Sequence, residues 1–242
     1  MSLEILHIDD DLVVVNKPSG LLVHRTDLAK HEQDAVVQRL NEQLGRWVYP
    51  IHRLDRATSG VLVMALNETV CRRLGEQFMA RTTDKNYLAI VRGHTQPEGV
   101  IDYPLAKLNE EKGRARFKIE GTEKEAISHF STLETFQIPV PVSRYEQMRL
   151  SLVSVKPEQG RTHQIRRHFK HIFHPLLGDT RYGCRHHNQA MRDHWSENLR
   201  LMLHAENLSF THPVSQERLN ISASLPEDMS TLLHTLRTQT FD

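Results

Sequence analysis

Residues 51–66 read IHRLDRATSGVLVMAL. Asp55 stands between Arg53 and Arg56, and Thr58, Ser59 and Gly60 follow, residue types that close tight, hydrogen-bonded turns. The apolar run after them predicts a loop feeding into a buried strand, with Asp55 at the loop's mouth. Opposite charge lowers a carboxyl pKa by about one to three units, so the neighbouring arginines would keep Asp55 ionised even when partly buried. An ionised, positioned carboxylate can act as a nucleophile. The same pattern also fits a structural Arg–Asp pair at a turn, because ion-pair networks perturb pKa values too.

Upstream, LEILHID and LVVVNKP are β-branched stretches separated by Asp9, Asp10 and Asp11, the pattern of a hairpin. Lys17–Gly20 then forms a turn before LLVHR. Residues 31–44 place Val36, Val37, Leu40 and Leu44 on one helical stripe that Gly45 terminates. Downstream, Asn67 caps a second helix whose Val70, Leu74 and Phe78 recur every four residues, with Arg72, Arg73 and Arg81 on its other face.

DKNYLAIVRG, residues 84–93, reads as a strand with Tyr87, Ala89 and Val91 on one side. Tyr87 is then core or site. Residues 96–125 turn polar and Gly-rich, a hairpin excursion or mobile loop, and HPVS near residue 212 is a similar surface turn. AISHFSTLETF and RYEQMRLSLVSVKP alternate as long strands. In EQGRTHQIRRHFKH, residues 158–171, Thr162 is the expected N-cap and Ile165 and Phe169 the apolar stripe. HPLLGDTRYG should be a short strand and turn, residues 185–198 a polar helix, RLMLHAENLSF and RLNISASL strands, and PEDMSTLLHTLR a terminal helix opened by Pro226 and acids. Strands outnumber helices and are often adjacent. That order favours an α+β fold with a mixed, mostly antiparallel sheet over a doubly wound βαβ fold.

The 242 residues suffice for a core without disulfides or metal, and we expect one domain over 1–242. Net charge is only +1, so no whole-chain argument for nucleic acid exists. Residues 160–200, however, hold eight Lys or Arg against three Asp or Glu, with seven of the sixteen histidines, which predicts a cationic patch. Cys71 and Cys184 lie far apart without a CxxC, so neither a disulfide framework nor a zinc ribbon is expected. No signal-like or membrane-spanning segment appears, and the chain reads as cytoplasmic.

GxxxxGK[ST], GxGxxG and GxSxG are absent, which argues against a nucleotide cofactor and a serine nucleophile elbow. Cys184, His186, His187 and His194 cluster loosely, without HEXXH or paired CxxC spacing, so no metal is expected. Asp55 between arginines, Tyr87 on a strand, and a helix opened by GRTHQIR remain.

HRLDRATSG, KNYLAIVRG and GRTHQIRRHF, followed by HPLLGDTRYG, resemble the successive motifs of the RluA-type pseudouridine synthases, and VVVNKPSGLLVHR resembles that family's first motif. The matches run in order from about residue 12 to residue 211. The family fold is implied, a sheet flanked by helices with a central RNA-binding cleft, and no N-terminal S4 domain is expected. The length, HRTDLAK and the stretch RWVYPIHRLDRATSGVLVMAL resemble most the branch of the family that acts on a T-stem uridine of tRNA, position 65. Phe169 stands where many relatives carry Leu, a change in packing only.

The resemblance implies that Asp55 attacks C1′ of the target ribose or takes its C2′ proton, stabilising a charge-deficient sugar. By the same likeness, Arg166 keeps that carboxylate ionised and aimed, Tyr87 stacks on the base, and Ile165 packs beneath the pocket. Arg53 would fill the space left by the flipped uridine. His52, Arg56, Thr58, Arg161 and His163 are further substrate-binding candidates, and Lys17, Arg72, Arg73, Arg161, Arg167 and Lys170 candidates for phosphate contact. No cofactor or metal is implied. The expected partner is tRNA, with ribosomal RNA or another tRNA uridine as the alternative, and the expected state a monomer. A nucleosidase would want a second acidic partner, and a silent RNA-binding module would tolerate Asp55→Asn.

Overall fold

The computed structural model describes residues 2–24, 34–110 and 117–240. Most of the HRTDLAK stretch and the expected start of the first helix at 31–33 lie outside them, as does part of the polar segment 96–125. In chain order the elements are β1 (Glu4–Ile8), β2 (Leu12–Lys17), α1 (Val36–Leu44), β3 (Tyr49–Pro50), β4 (Ser59–Ala65), α2 (Glu68–Ala80), β5 (Asp84–Arg92), β6 (Glu98–Asp102), β7 (Leu105–Glu110) and β8 (Phe117–Lys124). β9 (Ile127–Ile138), β10 (Met148–Pro157), α3 (Gln164–His171), α4 (Arg185–His194), β11 (Leu203–Thr211), β12 (Arg218–Ser222) and α5 (Glu227–Gln239) follow. The chain divides into two compact units, Met1–Lys85 with Leu108–Gly121 and Ala205–Ser224, and Asn86–Lys107 with Thr122–His204 and Leu225–Asp242.

In the first unit the strands run in the order β1-β2-β4-β11, with β3 on β4 and β12 on β11. The β1–β2 hairpin closes as expected: Asp9 Oδ1 accepts the N–H groups of Asp11 at 2.8 Å and Leu12 at 2.9 Å. β4 pairs antiparallel with β2 from Leu12↔Ala65 to Lys17↔Gly60. Every residue of β4 is buried, which is why SGVLVMA carries no polar alternation. Asn67 caps α2, its side chain accepting from Val70 N at 2.9 Å, and Val70 and Leu74 pack on Leu12, Val14, Val61, Val63 and Phe210. α1 stops at Gly45, whose φ of 64° places it in the left-handed region.

In the second unit β5-β10-β9-β6 are neighbours, and the registers of β5, β9 and β6 are all antiparallel to their partners. β10 is buried along most of its length, and α5 lays Met229, Leu232, Leu233 and Leu236 on Phe136, Ile138, Met148 and Leu150. β7 and β8 pair with each other in a separate two-stranded sheet, so strands stand where a hairpin excursion or a mobile loop was expected. Phe169 of α3 is fully buried, edge-on to Phe130.

Three expectations need correction. HPLLGDTRYG forms no strand, only a bridge between Leu176 and Val91, because Gly178 and the turn at Asp179 break the extended run. The polar helix ends at His194. Thr162 does not cap α3. His163 takes that position with φ 55° and its side chain makes no cap hydrogen bond, while Gln164 turns back to accept Arg161 N at 3.0 Å and so ties the preceding loop to the first turn.

Candidate active site

The Asp55 loop is held by the turn after β2. Thr58 N donates to the Asp55 carbonyl at 3.0 Å, closing the expected turn. Four bonds then lace it to residues 17–20. The Arg56 carbonyl accepts Gly20 N at 2.8 Å and Lys17 Nζ at 3.1 Å. Arg56 Nε donates to the Gly20 carbonyl at 2.8 Å, and Ser19 Oγ to the Ala57 carbonyl at 2.8 Å. Asp55 is half-buried, Thr58 and Ser59 buried, Arg53 and Arg56 exposed.

Lys17 is not a phosphate contact. Its side chain is wholly buried, and Nζ also donates to the carbonyls of Pro18 at 2.9 Å and Leu21 at 2.8 Å. The turn at Lys17–Gly20 folds back over the ammonium, so its protons serve the loop and not solvent.

His52, also in the first unit, stacks on Phe78 with ring centroids 4.7 Å apart and accepts Val63 N on Nε2 at 3.2 Å. Burial, reinforced by the Lys85 cation, pushes its pKa down to about 3. It is a neutral ring that fastens the loop to β4. Arg72 and Arg73 lie on the outer face of α2, and Arg73 Nη1 donates to the Pro213 carbonyl at 3.0 Å.

The second unit carries Tyr87, half-buried on β5 opposite Val155, and α3 with Arg161, His163, Ile165, Arg166, Arg167 and Lys170 around it. Gln164 pins the start of the helix to β9 by donating to the Ile127 carbonyl at 2.9 Å. His168, fully buried, sits 3.0 Å from Ser128 Oγ and 3.1 Å from the Tyr103 carbonyl. Ile165 and Arg166 are buried. Arg166 forks onto Asp179, Nε to Oδ2 at 2.8 Å and Nη2 to Oδ1 at 3.0 Å. Burial alone would raise the Asp179 pKa, but the Arg166 guanidinium and the N–H groups of Tyr182 and Arg181 hold it below the usual carboxylate range.

Tyr182 lies among Arg166, Arg181 and Lys170, each 5.2 to 5.8 Å from its ring centroid, with its hydroxyl 3.0 Å from His163 Nδ1. Arg167 is half-buried and donates to the Ala106 carbonyl at 3.0 Å, whereas Lys170 is exposed. Arg161 Nε donates to the Glu125 carbonyl at 3.1 Å.

The histidines near α4 are engaged separately, His187 with Cys184 Sγ at 3.3 Å and His194 with Gln239 at 3.3 Å. Among the described residues, three potential metal ligands group at Asp9, Asp11 and His212. His212 Nδ1 accepts Val214 N and Ser215 N at 3.3 and 3.0 Å, which leaves the ring proton on Nε2, 3.2 Å from Asp9 Oδ2. A protonated ring nitrogen facing the carboxylate suits a proton there, not a cation.

Sequence reasoning missed Asp179 and Tyr182. The available signal was GDTRYG, where one acid follows a buried Leu-Leu-Gly and precedes an aromatic.

A half-buried carboxylate on a laced loop, a strand tyrosine and a buried helix arginine are among the side chains on which the family resemblance rests. The model of the RNA pseudouridylate synthase family matches residues 11–171, and the chain belongs to that family and is an isomerase, a pseudouridine synthase. It is 47% identical over 97% of its length and 96% of the relative's to a protein of Pasteurella multocida named tRNA pseudouridine synthase C. A protein of the same name from Haemophilus influenzae is 46% identical over 96% of this chain and 97% of its own. Among solved structures, human RNA pseudouridylate synthase domain containing 4 superposes with a TM-score of 0.73 at 27% identity, over 97% of this chain and 93% of that one. Human RNA pseudouridylate synthase domain containing 1 gives 0.69 at 28%, over 100% and 97%. The α+β fold is therefore that of the pseudouridine synthases.

Proposed function

We propose that this enzyme isomerises a uridine of tRNA, the T-stem uridine at position 65, using Asp55 as the nucleophile or base. The observation that carries tRNA is the 47% identity, along nearly the whole of both chains, to a relative whose name states that substrate. The Asp55 reading is supported by the loop around it, a half-buried carboxylate on a backbone fixed by five hydrogen bonds to or within residues 17–20 and 55–58.

In this reading the Asp55 carboxylate attacks C1′ of the flipped uridine or removes its C2′ proton, and the N1–C1′ bond breaks. A fixed carboxylate stabilises the electron-poor sugar in either path. The uracil rotates and C5 bonds to C1′ as the Asp55 carboxylate leaves that carbon, or in the second path as C2′ regains its proton; the C5 proton departs and N1 takes one up, with the Tyr87 ring stacked on the base. Arg166 is assigned the cation that keeps the reacting carboxylate ionised, and Ile165 the floor of the pocket. Arg53 occupies the space vacated by the uridine. Arg161 and His163 meet the substrate at the opening of α3, and the exposed Arg72 and Lys170 meet phosphates. The reaction needs no group donor and no net redox change. The enzyme works as a cytoplasmic monomer.

The test is to incubate unmodified tRNA transcript with the protein, without metal or nucleotide, and map pseudouridine by carbodiimide-dependent reverse-transcription stops. A single stop at the T-stem uridine, absent with Asp55→Asn, is the expected result. A stop on ribosomal RNA alone moves the substrate, and activity surviving the substitution removes the role of Asp55.

A further inference from the structure

Phe173 stands just beyond α3 in a backbone conformation that aromatic residues avoid. Its φ is 64°. Phe173 N donates to the Lys170 carbonyl at 3.1 Å and His174 N to the Phe169 carbonyl at 2.9 Å, the paired bonds of a Schellman cap with Phe173 where glycine is usual. The other non-glycine residues in this region among those described are Arg81, Ser143, His163 and Gln216, all polar. Strain of this kind persists where the surroundings impose it and is a pointer to use.

The strain is not offset by burial. The Phe173 side chain is 82% exposed, the highest value among the large apolar residues described. Its backbone is nevertheless fixed. His174 seats its Nδ1 2.7 Å from the Arg92 carbonyl, in space that Gly93 leaves open, and the Pro175 carbonyl accepts Arg92 N at 3.0 Å. The ring is therefore carried into solvent on a rigid mount.

Basic and aromatic side chains precede it in the chain and stand at the end of β5, the strand its backbone is tied to. Lys170 and His171 are exposed just before it, and Tyr103 stacks on His171 with centroids 3.7 Å apart. Arg92 is exposed at the end of β5. Aromatic faces among cations bind unpaired nucleobases, because every base has a π-face and the cations meet the phosphates.

We infer that Phe173 is a stacking residue for an unpaired base of the RNA substrate, outside the reacting uridine, and that Lys170 and His171 hold the adjoining phosphates. The inference rests on the enzyme acting on RNA and not on which RNA it modifies.

The test compares wild type, Phe173→Gly, Phe173→Leu and Phe173→Trp as full-length proteins, with binding to an unmodified tRNA transcript and a ribosomal RNA stem-loop measured by fluorescence anisotropy and folding by thermal melts. Gly and Leu should weaken binding of the cognate RNA by about 5- to 100-fold, and Trp should keep it. Gly should melt no lower than wild type, since it relieves the left-handed strain, so the lost affinity is not lost folding. Wild-type affinity in Phe173→Gly or Phe173→Leu overturns the inference and leaves the proposed function standing. If wild type binds the ribosomal stem-loop but not tRNA, and the variants lose that binding, the inference stands and the tRNA reading falls. Binding of neither RNA by wild type overturns both.

Discussion

Arg166 of α3 and Asp179 form a two-bond fork, Nε–Oδ2 at 2.8 Å and Nη2–Oδ1 at 3.0 Å, with the Asp179 side chain completely buried. Asp179 Oδ1 also accepts the N–H groups of Arg181 at 2.9 Å and Tyr182 at 3.0 Å. One carboxylate thus sets the plane of the guanidinium and the turn that carries Tyr182. Breaking a buried pair by removing one charge costs about 3–5 kcal/mol. Asp179→Asn should lower stability by that order in chemical denaturation. In conditions where the variant stays folded, kcat should fall at least about 100-fold with little change in KM, because the arginine is misaimed rather than absent. Unchanged kcat in folded Asp179→Asn would remove the positioning role.

The same pair sets an acid limit. The folded pKa of Asp179 is depressed, so its contribution is present above the unfolded carboxyl value, about 3.9, and is lost as pH falls through the folded value. Denaturation free energies from pH 7 to pH 3 should drop in wild type below about pH 4, and Asp179→Asn should lose part of that slope. Equal slopes would mean that the pair does not titrate with unfolding.

Lys17 separates a strut from a phosphate contact. Lys17→Met removes the donor to the carbonyls of Pro18, Leu21 and Arg56, and a buried acceptor left unmet costs about 1–3 kcal/mol. We expect a loss of about 2–4 kcal/mol in stability and a large fall in activity through the Asp55 loop. The salt dependence of RNA binding should be unaltered. A log–log salt slope smaller by about 0.7–0.9 would restore the phosphate contact.

Two glycines with positive φ should respond differently to alanine. At Gly45, φ 64°, an added Cβ meets nothing within 4 Å, so Gly45→Ala should cost only about 1 kcal/mol of backbone strain. At Gly60, φ 114°, the Cβ would lie 2.1 Å from the Ala205 carbonyl oxygen. Gly60→Ala should therefore melt far lower or fail to fold, since two strand backbones would have to part beside the Asp55 loop. Similar melting temperatures for the two variants would contradict this close approach.

What was legible in the sequence was local chemistry: the unbroken apolar run of β4, the Asn67 cap, the hairpin acids and the Asp55 turn. The errors arose where a side chain's partner is distant or unexpected. Lys17 had the charge of a phosphate ligand, and only the folding-back of Pro18–Leu21 buries it. Thr162 had the right hydroxyl for a cap, but His163, in the left-handed region, takes the N-cap position. Asp179 looked like a loop acid until α3 brought Arg166 onto it from thirteen residues upstream. For Lys17 and Asp179 the shared signal was a single charge within an otherwise buried stretch, which implies a partner without naming it.

His52 offers a readout at a single ring. Its folded pKa of about 3 lies below the unfolded value, about 6.5, because burial and then Lys85 disfavour the imidazolium. The unfolded chain therefore binds the proton first, and below about pH 6.5 each pH unit subtracts up to about 1.4 kcal/mol of stability until the folded ring also protonates. Above that pH His52 contributes no slope. The His52 ring signals in an NMR titration should stay neutral down to pH 4. His52→Gln keeps an acceptor for Val63 N and should flatten the stability profile between pH 6.5 and 5. A His52 resonance titrating near 6.5 would instead mean that the ring is solvated, that its stacking on Phe78 is loose, and that the Asp55 loop lacks this anchor to β4.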